Sequence, residues 1–461
     1  MTQFGLDLHV ETHQTRRRSS LEDALRRAIR SGRLAAGQRV PSSRAMAEDL
    51  GWARGTVAAA YEQLVAEGYL EARTGAGTVV ADVATLVPAG PSRPRTGRLA
   101  LDLLPGAPEP GGFPVTAWLR AGRDALAHAE PGSFDYGNGQ GAPALRLALA
   151  TYLGRARGVS ADPDRTVVTA GVTQALWLLA RVVAARGGRT MAMEDPCHGP
   201  HRDAVVDAGL RIVPLPVDSV GARVRELDRL RPDAVFVTPA HQYPIGVTLS
   251  TDRRRELVAW ARRTGGLVIE DDYDGELRYD RRPVGALQGT APDHVAYLGT
   301  ASKILGPGIR LGWAVLPEGW VREVRRVQEV VTQGLDVTSQ LTFAAFLESY
   351  GYDRLVRARR ATYRRRVAEL VAAIDAGGPF TTSGIAAGGH ILVSLPDRPG
   401  VERAVVDEAA RRGLWLVGLD VLRHGADPYP PAIVLGYTRP SAFAWPPLLD
   451  RFLGILRDVI H

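Results

Sequence analysis

Residues 297–317 read YLGTASKILGPGIRLGWAVLP, and the interpretation of the whole chain starts from this stretch. Apolar runs at 296–298 and 311–315 predict two β-strands. The loop between them is rich in glycine and hydroxyl residues and contains Lys303 and Arg310. Such a loop is typical of a ligand site, because α/β sheets bind ligands beyond the carboxyl ends of their strands.

The sequence on either side alternates short β-rich runs with longer helical patterns, which favours an α/β fold with a doubly wound sheet. Further strands are predicted at Thr166–Thr169, Thr190–Met193, Arg211–Leu215, Ala234–Thr238 and Leu267–Glu270. Helical patterns cover Ala142–Arg157, Thr173–Arg186, Thr251–Arg263 and Asp353–Ala376. From about residue 380 we expect a smaller α/β segment, with strands at Ile391–Leu395, Leu414–Val417 and Ile433–Gly436.

Lysine usage singles out one residue of the 299–312 loop. The chain has 57 basic residues, of which Lys303 is the one lysine and the other 56 are arginine. A compositional bias towards arginine explains this count wherever a positive charge is enough. A guanidinium, however, stays protonated and forms no stable Schiff base, so arginine cannot replace a lysine whose amine must react. Lys303 is therefore a candidate for covalent chemistry.

Other reactive groups follow neighbouring strands. The loop 270–276 reads EDDYDGE and places Asp271 at a strand end, two residues before Tyr273. A cofactor with an aldehyde, a phosphate and a pyridine nitrogen would use all of these groups. The lysine amine would form a Schiff base, and a carboxylate would keep the ring nitrogen protonated. Hydroxyls, the N–H groups of a helix start and Arg310 would hold the phosphate.

Each of these residues also has an ordinary structural explanation. Lys303 alone could be a surface lysine, Asp271 a turn residue or helix cap, and Arg310 one half of a surface ion pair. Their occurrence together, in this order and at strand ends, favours a cofactor site over the separate explanations.

Residues 15–83 have a different plan. The apolar periodicity predicts a first helix ending at Gly32, a second from the cap Ser42–Ser43 to Gly51, and a third that begins near Arg54. The buried side of the third helix is predicted to be Val57, Tyr61, Leu64 and Val65. The β-rich runs 69–73 and 78–80 then flank a glycine-rich turn, which predicts a hairpin.

Helix, tight turn, helix and hairpin is the plan of a winged helix-turn-helix, in which the start of the third helix enters the DNA major groove. The expected contacts with double-stranded DNA come from Ser42, Ser43, Arg44, Arg54, Thr56 and, on the wing, Arg73. Residues 1–98 hold 14 arginines against 10 acidic residues, a net charge of +4 that suits such a partner. A protein-interaction module with a solvated basic face is the alternative.

Residues 84–98, ATLVPAGPSRPRTGR, hold three prolines and no apolar periodicity, which predicts a linker. The chain then divides into a DNA-binding unit at 15–83, the linker at 84–98 and an α/β unit at 99–461.

Composition excludes several other classes of protein. The single cysteine, Cys197, leaves no intrachain disulfide and no multi-cysteine zinc site, and we expect no metal. No run approaches the roughly 20 apolar residues of a membrane span. The stretch 1–20 lacks the apolar core of a secretory signal, so we expect a cytoplasmic protein without a membrane partner.

Two long stretches resemble a known family. VIEDDYDGELRYDRRPVGALQ (268–288) and YLGTASKILGPGIRLGWAVLP (297–317) resemble the aminotransferase-like domain of MocR/GabR-type transcriptional regulators. RRAIRSGRLAAGQRVPSSRAMAEDLG (26–51) and GTVAAAYEQLVAEGYLEARTGAGTVV (55–80) resemble the GntR-type winged helix that precedes it. DYGNGQGAPALRLALATYLGRARGV (135–159) and TPAHQYPIG (238–246) extend the resemblance over nearly the whole chain. It implies a fold-type-I aminotransferase domain, pyridoxal 5′-phosphate (PLP) as cofactor, and a homodimer.

The resemblance also implies roles for individual residues. Lys303 would form the Schiff base with PLP, Asp271 would pair with the pyridine nitrogen, and Tyr273 would reach the ring hydroxyl. The phosphate would be held by Thr300, Ser302, Arg310 and the backbone of Val172 and Thr173, with Tyr136 contacting the phosphate of the other subunit. His241 and Gln242 would line the site near the ring hydroxyl.

The chain departs from the family pattern at a few positions. His198 stands where the family has a tyrosine that stacks on the ring, and an imidazole stacks less broadly. In the turn before the third helix, Ala53 replaces a serine that could cap the helix or touch a phosphate. Arg439 is a candidate for binding the carboxylate of an amino-acid-like effector, which a regulator that senses PLP alone would not need.

The sequence thus favours a PLP-binding, DNA-binding transcriptional regulator that senses PLP or an amino compound. Control of vitamin B6 synthesis and control of amino-acid or amine use both fit this interpretation. The alternative is an active PLP-dependent aminotransferase with an appended helix-turn-helix. A scaffold that binds neither cofactor nor DNA would be a third class, distinguished by a colourless protein that is indifferent to DNA.

Overall fold

The computed structural model divides the chain into two units, Met1–Leu99 and Ala100–His461. The structure describes residues 17–73, 77–82, 101–137, 139–279, 284–385 and 387–460. The predicted linker at 84–98 and the tip of the predicted hairpin at 74–76 lie outside these residues.

The first unit contains three helices and a hairpin: α1 (Arg17–Arg30), α2 (Ser43–Leu50), α3 (Arg54–Ala66), β1 (Leu70–Arg73) and β2 (Gly77–Val80). The two strands are antiparallel, and Arg73 pairs with Gly77. Apolar side chains from all three helices and both strands meet in one core. The predicted order of helix, turn, helix and hairpin is confirmed.

Local chemistry explains the ends of α2. The Ser42 hydroxyl accepts the N–H of Ala45 at 3.2 Å, which satisfies one of the free donors at the helix start. Gly51 ends the helix with a φ of +63°, a conformation that favours glycine. In contrast, α3 begins after Ala53 without a side-chain cap.

The predicted buried side of α3 is wrong at one position. Val65 is 37% exposed, and Ala60 takes its place in the core with Val57, Tyr61 and Leu64. These four residues follow the spacing i, i+3, i+4, i+7, which keeps them within one narrow stripe of the helix. Val65 lies at the edge of that stripe and therefore reaches solvent.

The second unit is an α/β structure. Its strands are β3 (Leu101–Asp102), β4 (Thr166–Thr169), β5 (Thr190–Asp195), β6 (Arg211–Asp218), β7 (Gly221–Ala222), β8 (Ala234–Val237), β9 (Leu267–Asp271), β10 (Val295–Thr300), β11 (Gly312–Val315), β12 (Thr381–Ser383), β13 (His390–Ser394), β14 (Leu414–Trp415), β15 (Val417–Gly418) and β16 (Ala432–Gly436). Its helices are α4 (Val115–Ala127), α5 (Pro143–Arg157), α6 (Val172–Ala185), α7 (Gly199–Asp207), α8 (Glu226–Leu230), α9 (Thr251–Thr264), α10 (Glu318–Thr332), α11 (Val337–Glu348), α12 (Gly351–Asp375), α13 (Val401–Arg411) and α14 (Trp445–Ile460).

Within the described residues, eight strands form one sheet in the order β4-β11-β10-β9-β8-β5-β6-β7. Strands β10, β9, β8, β5 and β6 are parallel, and β11 runs antiparallel between β10 and β4. The predicted doubly wound sheet is therefore confirmed. Because parallel strands end at the same edge, the loops after β5, β8, β9 and β10 meet there.

Helices cover both faces of this sheet. Phe236 of β8 packs in the same cluster as Leu176 of α6, whereas Val237 packs with Leu257 of α9 in another. Successive residues of one strand thus face different helices, which explains why the strands read as continuous apolar runs. Among the described helices, none has the length and apolar character that a membrane crossing requires.

A smaller sheet in the order β12-β13-β16-β15 lies in the C-terminal part, where the sequence predicts the smaller segment. The structure adds a connection that the sequence pattern does not reveal. Leu101 and Asp102 of β3 pair in parallel with Leu414 and Trp415 of β14. The beginning of the second unit is therefore tied to its C-terminal segment.

Candidate functional site

Lys303 follows β10 and faces a cavity of about 270 Å³ at the carboxyl edge of the large sheet. Its Nζ donates a hydrogen bond to the carbonyl oxygen of Gly106 at 2.8 Å. Burial lowers the pKa of the amine, and the carboxylates of Asp271 and Asp274 oppose this shift. A lowered pKa increases the share of neutral amine, which is the form that attacks a carbonyl carbon.

Asp271, the last residue of β9, lies in the wall of the same cavity. It is 3% exposed, and its Oδ1 has no hydrogen-bond partner among the described residues. Burial raises the pKa of this carboxyl well above its ordinary value, although the charge of Lys303 opposes the shift. A buried carboxylate oxygen without a partner is costly, so this atom fits a donor supplied by a ligand, such as a protonated pyridine nitrogen.

The predicted phosphate-binding residues come together at another side of the cavity. Val172 and Thr173 form the first turn of α6, where backbone N–H groups have no partner within the helix. Thr300, Ser302 and Arg310 line the same cavity. The Thr300 and Ser302 hydroxyls lie 3.0 Å apart. N–H groups, hydroxyls and a guanidinium are the donors that a phosphate needs, so the set fits that group.

Close backbone packing brings these donors together. A Cβ on Gly312 of β11 would lie 2.6 Å from the Cα of Gly171, just before α6. A Cβ on Gly171 itself would lie 3.6 Å from Nη2 of Arg310. Glycine at 312 therefore lets the loop after β4 approach β11 and carries the start of α6 towards Arg310.

His198 lines the cavity as predicted, and it does so with other aromatic rings. Its imidazole contacts His201 and Tyr243 edge to face, with ring centroids 4.9 Å and 5.7 Å away. Burial lowers the pKa of His198 to about 4 and that of His390, on another wall, to about 3. These imidazoles are therefore neutral near pH 7.

His241 and Gln242 lie one layer behind the lysine cavity. Neither side chain is among the described residues that line the cavity, and both are buried behind its wall. Nδ1 of His241 lies 2.8 Å from Oδ2 of Asp274 and 3.1 Å from the hydroxyl of Tyr273. Asp274 and Tyr273 do line the cavity, so His241 positions them from behind.

Gln242 has a structural role in the same layer. Its amide nitrogen donates to the carbonyl of Pro196 at 3.0 Å, and its oxygen accepts the N–H of Ile245 at 2.9 Å. Both bonds fix loops at the sheet edge. Their depth was not predictable, because a loop sequence does not tell which of its side chains reaches the cavity.

Two further predicted residues lie apart from Lys303 within one chain. Tyr136 is 85% exposed and does not line the cavity. Arg439 lines a neighbouring cavity with Glu109 and Phe113, and that cavity shares Ala107 and Pro307 with the lysine cavity.

Sequence reasoning missed several lining residues. Gly106, Ala107, Tyr243, His390 and Thr438 all line the lysine cavity. Gly106 and Thr438 come from opposite ends of the second unit, and only the fold brings them together. A signal was available for Tyr243, which lies in the quoted stretch TPAHQYPIG, but not for the others.

In the first unit, the predicted DNA-contacting residues lie at the expected element ends. Arg44 and Arg54 are exposed and form no ion pair within the described residues. Ser43 and Thr56 are half-buried, and Ser42 caps α2. Arg73 on β1 is exposed and pairs with Glu71 at 2.9 Å. Within the part of the chain that the structure describes, the starts of α2 and α3 therefore present cations without an acidic partner.

Comparison with known families gives a match for each of the two units. Residues 17–80 match the family described as bacterial regulatory proteins, gntR family. Residues 106–396 match the family described as aminotransferase class I and II.

Two curated relatives match most of the chain. The HTH-type pyridoxine biosynthesis transcriptional regulator PdxR of Corynebacterium glutamicum is 34% identical over 406 residues, which is 87% of each chain. The HTH-type transcriptional regulator TauR of Rhodobacter capsulatus is 32% identical over 395 residues, 78% of this chain and 80% of TauR.

Solved structures show the same fold for the second unit. The kynurenine aminotransferase of Pyrococcus horikoshii has a TM-score of 0.70 and 24% identity, covering 78% of this chain and 92% of that one. The α-aminoadipate aminotransferase LysN of Thermus thermophilus has a TM-score of 0.70 and 21% identity, covering 78% and 93%. The second unit therefore has the fold of these aminotransferases.

Proposed function

The chain belongs to the helix-turn-helix transcriptional regulators that join a gntR-family DNA-binding domain to an aminotransferase class I and II domain, and on this premise we propose that its second unit senses PLP. Binding of PLP in the lysine cavity then controls binding of the first unit to operator DNA. The observation that carries the proposal is the meeting of Lys303, Asp271 and Arg310 in one cavity.

These three residues complement three parts of PLP. The Lys303 amine suits the aldehyde, the unpartnered Asp271 oxygen suits the ring nitrogen, and Arg310 with the start of α6 suits the phosphate. When bound, PLP supplies a reactive carbonyl and an electron-withdrawing ring. Tyr273 and His198 would bind the ring from its edge and its face.

The names of the relatives suggest an effector and a regulated pathway. Because PdxR is named for pyridoxine biosynthesis, we propose a role in vitamin B6 supply for this chain. An amino compound is the second effector class, and Arg439 beside the lysine cavity is the group that would bind its carboxylate.

The first unit is the DNA-binding half of the proposal. Arg54 and Thr56 at the start of α3 would enter the major groove, with Arg44 on α2 and Arg73 on the wing beside them. A homodimer, to which the exposed Tyr136 contributes a contact with the other subunit's phosphate, would carry two such units and bind paired half-sites.

A working aminotransferase is the second candidate function, because the lysine, the carboxyl and the arginine of such an enzyme all line the cavity. Incubation with amino-acid and keto-acid pairs separates the two. Turnover near the usual enzyme range of about 1–10³ s⁻¹ would favour catalysis, whereas its absence with intact PLP binding favours regulation.

The experiment that tests PLP sensing has two parts. Addition of PLP to cofactor-free protein should give a near-visible absorption band, and borohydride should fix the cofactor to Lys303 in a peptide map. Operator affinity at fixed salt should then differ between the two forms by about 5- to 150-fold. A reduced adduct on another residue would overturn the site, and equal affinities would overturn the sensor.

A further inference from the structure

The segment 101–109, called the strap from here on, connects the lysine cavity to the part of the chain that leads to the DNA-binding unit. It is the first described segment after the stretch 83–100. Pro105, Gly106 and Ala107 of the strap form part of the cavity wall. Whatever moves the strap therefore moves the attachment point of the linker.

Most of the strap is held by the C-terminal segment of the second unit. The N–H of Leu103 donates to the carbonyl of Trp415 at 3.1 Å, and the N–H of Gly436 donates to the carbonyl of Leu103 at 2.7 Å. The Thr438 hydroxyl donates to the carbonyl of Ala107 at 2.6 Å. These bonds use β14, β16 and the loop after β16, and none of them involves the large sheet.

Lys303 provides a link from the large sheet. Its Nζ donates to the carbonyl of Gly106, in the middle of the strap, at 2.8 Å. Gly106 has a φ of +102°, and a Cβ there would lie 3.1 Å from Nζ. Glycine thus permits both the backbone turn and the close approach of the amine. A bond from an ammonium to a carbonyl is charge-assisted and correspondingly strong.

We propose that the strap senses whether Lys303 is free or bound to an aldehyde and transmits that state to the linker. This inference rests on the proposed function. A free ammonium has three rotatable N–H donors, one of which holds Gly106. Condensation of the amine with an aldehyde forms a C=N bond and releases the aldehyde oxygen as water. At most one N–H remains, fixed in the plane of that bond, so the strap loses its donor.

Two substitutions at Lys303 separate release of the strap from binding of PLP. Lys303→Ala removes the donor without any cofactor present. Lys303→Arg keeps cationic N–H donors but cannot form the C=N bond, because a guanidinium forms no stable Schiff base. The two variants are equally unable to react, and they differ in whether they can hold Gly106.

The test is a titration of the full-length protein with an operator fragment that the wild-type protein selects from a random duplex pool. Wild-type protein should show two affinities, cofactor-free and PLP-loaded, about 5- to 150-fold apart. Cofactor-free Lys303→Ala should have the loaded affinity, and Lys303→Arg should have the cofactor-free affinity. Neither variant should change further when PLP is added.

A matched control removes a similar bond elsewhere. Arg202 donates to the carbonyl of Arg423 at 2.7 Å and does not touch the strap. Arg202→Ala should leave both wild-type affinities unchanged. Amide hydrogen exchange provides a second readout: peptides covering 101–113 should exchange faster in Lys303→Ala than in Lys303→Arg, with equal rates in β8.

The outcomes distinguish this inference from the proposed function. Suppose that the wild-type protein binds PLP and changes its operator affinity, but cofactor-free Lys303→Ala keeps the cofactor-free affinity. The proposed role of the strap is then overturned, and PLP sensing stands. Equal rates of amide hydrogen exchange at 101–113 in Lys303→Ala and Lys303→Arg also overturn the proposed role of the strap. If the wild-type protein takes up no PLP, the proposed function fails first.

Discussion

Asp271 and Asp272 are consecutive residues at the end of β9, and both carboxylates are almost completely buried, but their surroundings differ. Asp272 forms a two-bond ion pair with Arg157, at 2.7 Å and 3.0 Å, and accepts the hydroxyl of Tyr297 at 2.8 Å. Asp271 faces the lysine cavity, and its Oδ1 has no hydrogen-bond partner among the residues that the structure describes. The fold compensates one charge internally, and we propose that a ligand compensates its neighbour. The same contrast separates structural from functional groups elsewhere in the molecule.

The largest expected effect is a loss of stability when Asp272, the compensated carboxylate, is removed. Asp272→Ala leaves Arg157 charged, buried and without its carboxylate, and removal of one partner of a buried pair costs about 3–5 kcal/mol. Urea unfolding should show this loss in the cofactor-free protein. Asp293→Ala is the matched control, because the Asp293 side chain is 77% exposed and its pair with Arg165 therefore contributes about 1 kcal/mol or less. Similar losses of unfolding free energy for Asp272→Ala and Asp293→Ala would contradict the internal compensation of Asp272.

The next largest effect is a loss of PLP affinity when Asp271, the uncompensated carboxylate, is replaced. Asp271→Asn replaces a desolvated carboxyl by a neutral group of the same size, so the unfolding free energy of the cofactor-free protein should not fall. PLP affinity should fall roughly 10- to 150-fold, since a hydrogen bond to a charged group contributes about 1.5–3 kcal/mol. Equilibrium titration in the near-visible absorption band of the bound cofactor measures it. Loss of stability with unchanged affinity would reverse the assignment of the two residues.

The first unit extends the comparison from carboxylates to arginines. Arg26 is paired with Glu67 and Asp23, both at 2.7 Å, whereas Arg54 has no ion pair among the described residues. Arg54→Ala should weaken operator binding by about 1–3 kcal/mol if it contacts a guanine, with a base-specific loss. Arg26→Ala should leave operator affinity nearly unchanged. A uniform loss across DNA sequences would instead identify Arg54 as a phosphate contact.

The smallest effect is a pH dependence. The pKa of Asp271 is raised in the folded protein, so the folded state holds this proton more tightly than the unfolded state. Its contribution to stability is therefore present at low pH and is lost as pH rises from the unfolded pKa through the folded one. The unfolding free energy of cofactor-free Asp271→Asn should decline less over this range than that of the wild-type protein.

The difference between the two proteins is the quantity to measure. Burial also raises the pKa of Glu194, Glu270 and Glu276 to about 7, and these groups contribute the same slope to both. Parallel curves for the wild-type protein and Asp271→Asn would show that Asp271 does not carry this proton.

The sequence predicted the large sheet well because its strands are buried on both faces and read as short apolar runs between glycine-rich loops. Lys303 and Asp271 could be singled out for the same reason, since Asp271 ends one such strand and Lys303 follows another, and Arg310 lies in the same loop as Lys303. The layer in which His241 lies was not predictable, because a loop sequence does not encode the depth of its side chains.

The strap was missed entirely. Its sequence, LDLLPGAPE (101–109), has no apolar periodicity, and its partners Lys303 and Thr438 lie far away in the chain. The buried side of α3 was predicted except for Val65, which lies at the edge of the apolar stripe. Patterns that repeat along one element were therefore readable, and contacts between distant segments were not.

The placement of Lys303 has a consequence for chemical labelling. It is the chain's single lysine, and its amine lies beside Asp271 within a cavity, in contact with Gly106. Reagents that acylate side-chain amines thus have one target, and a bulky reagent must first enter the cavity. The yield of such a reaction measures the fraction of protein molecules in which the Lys303 amine is free and accessible. It does so even in mixtures where absorbance cannot measure that fraction.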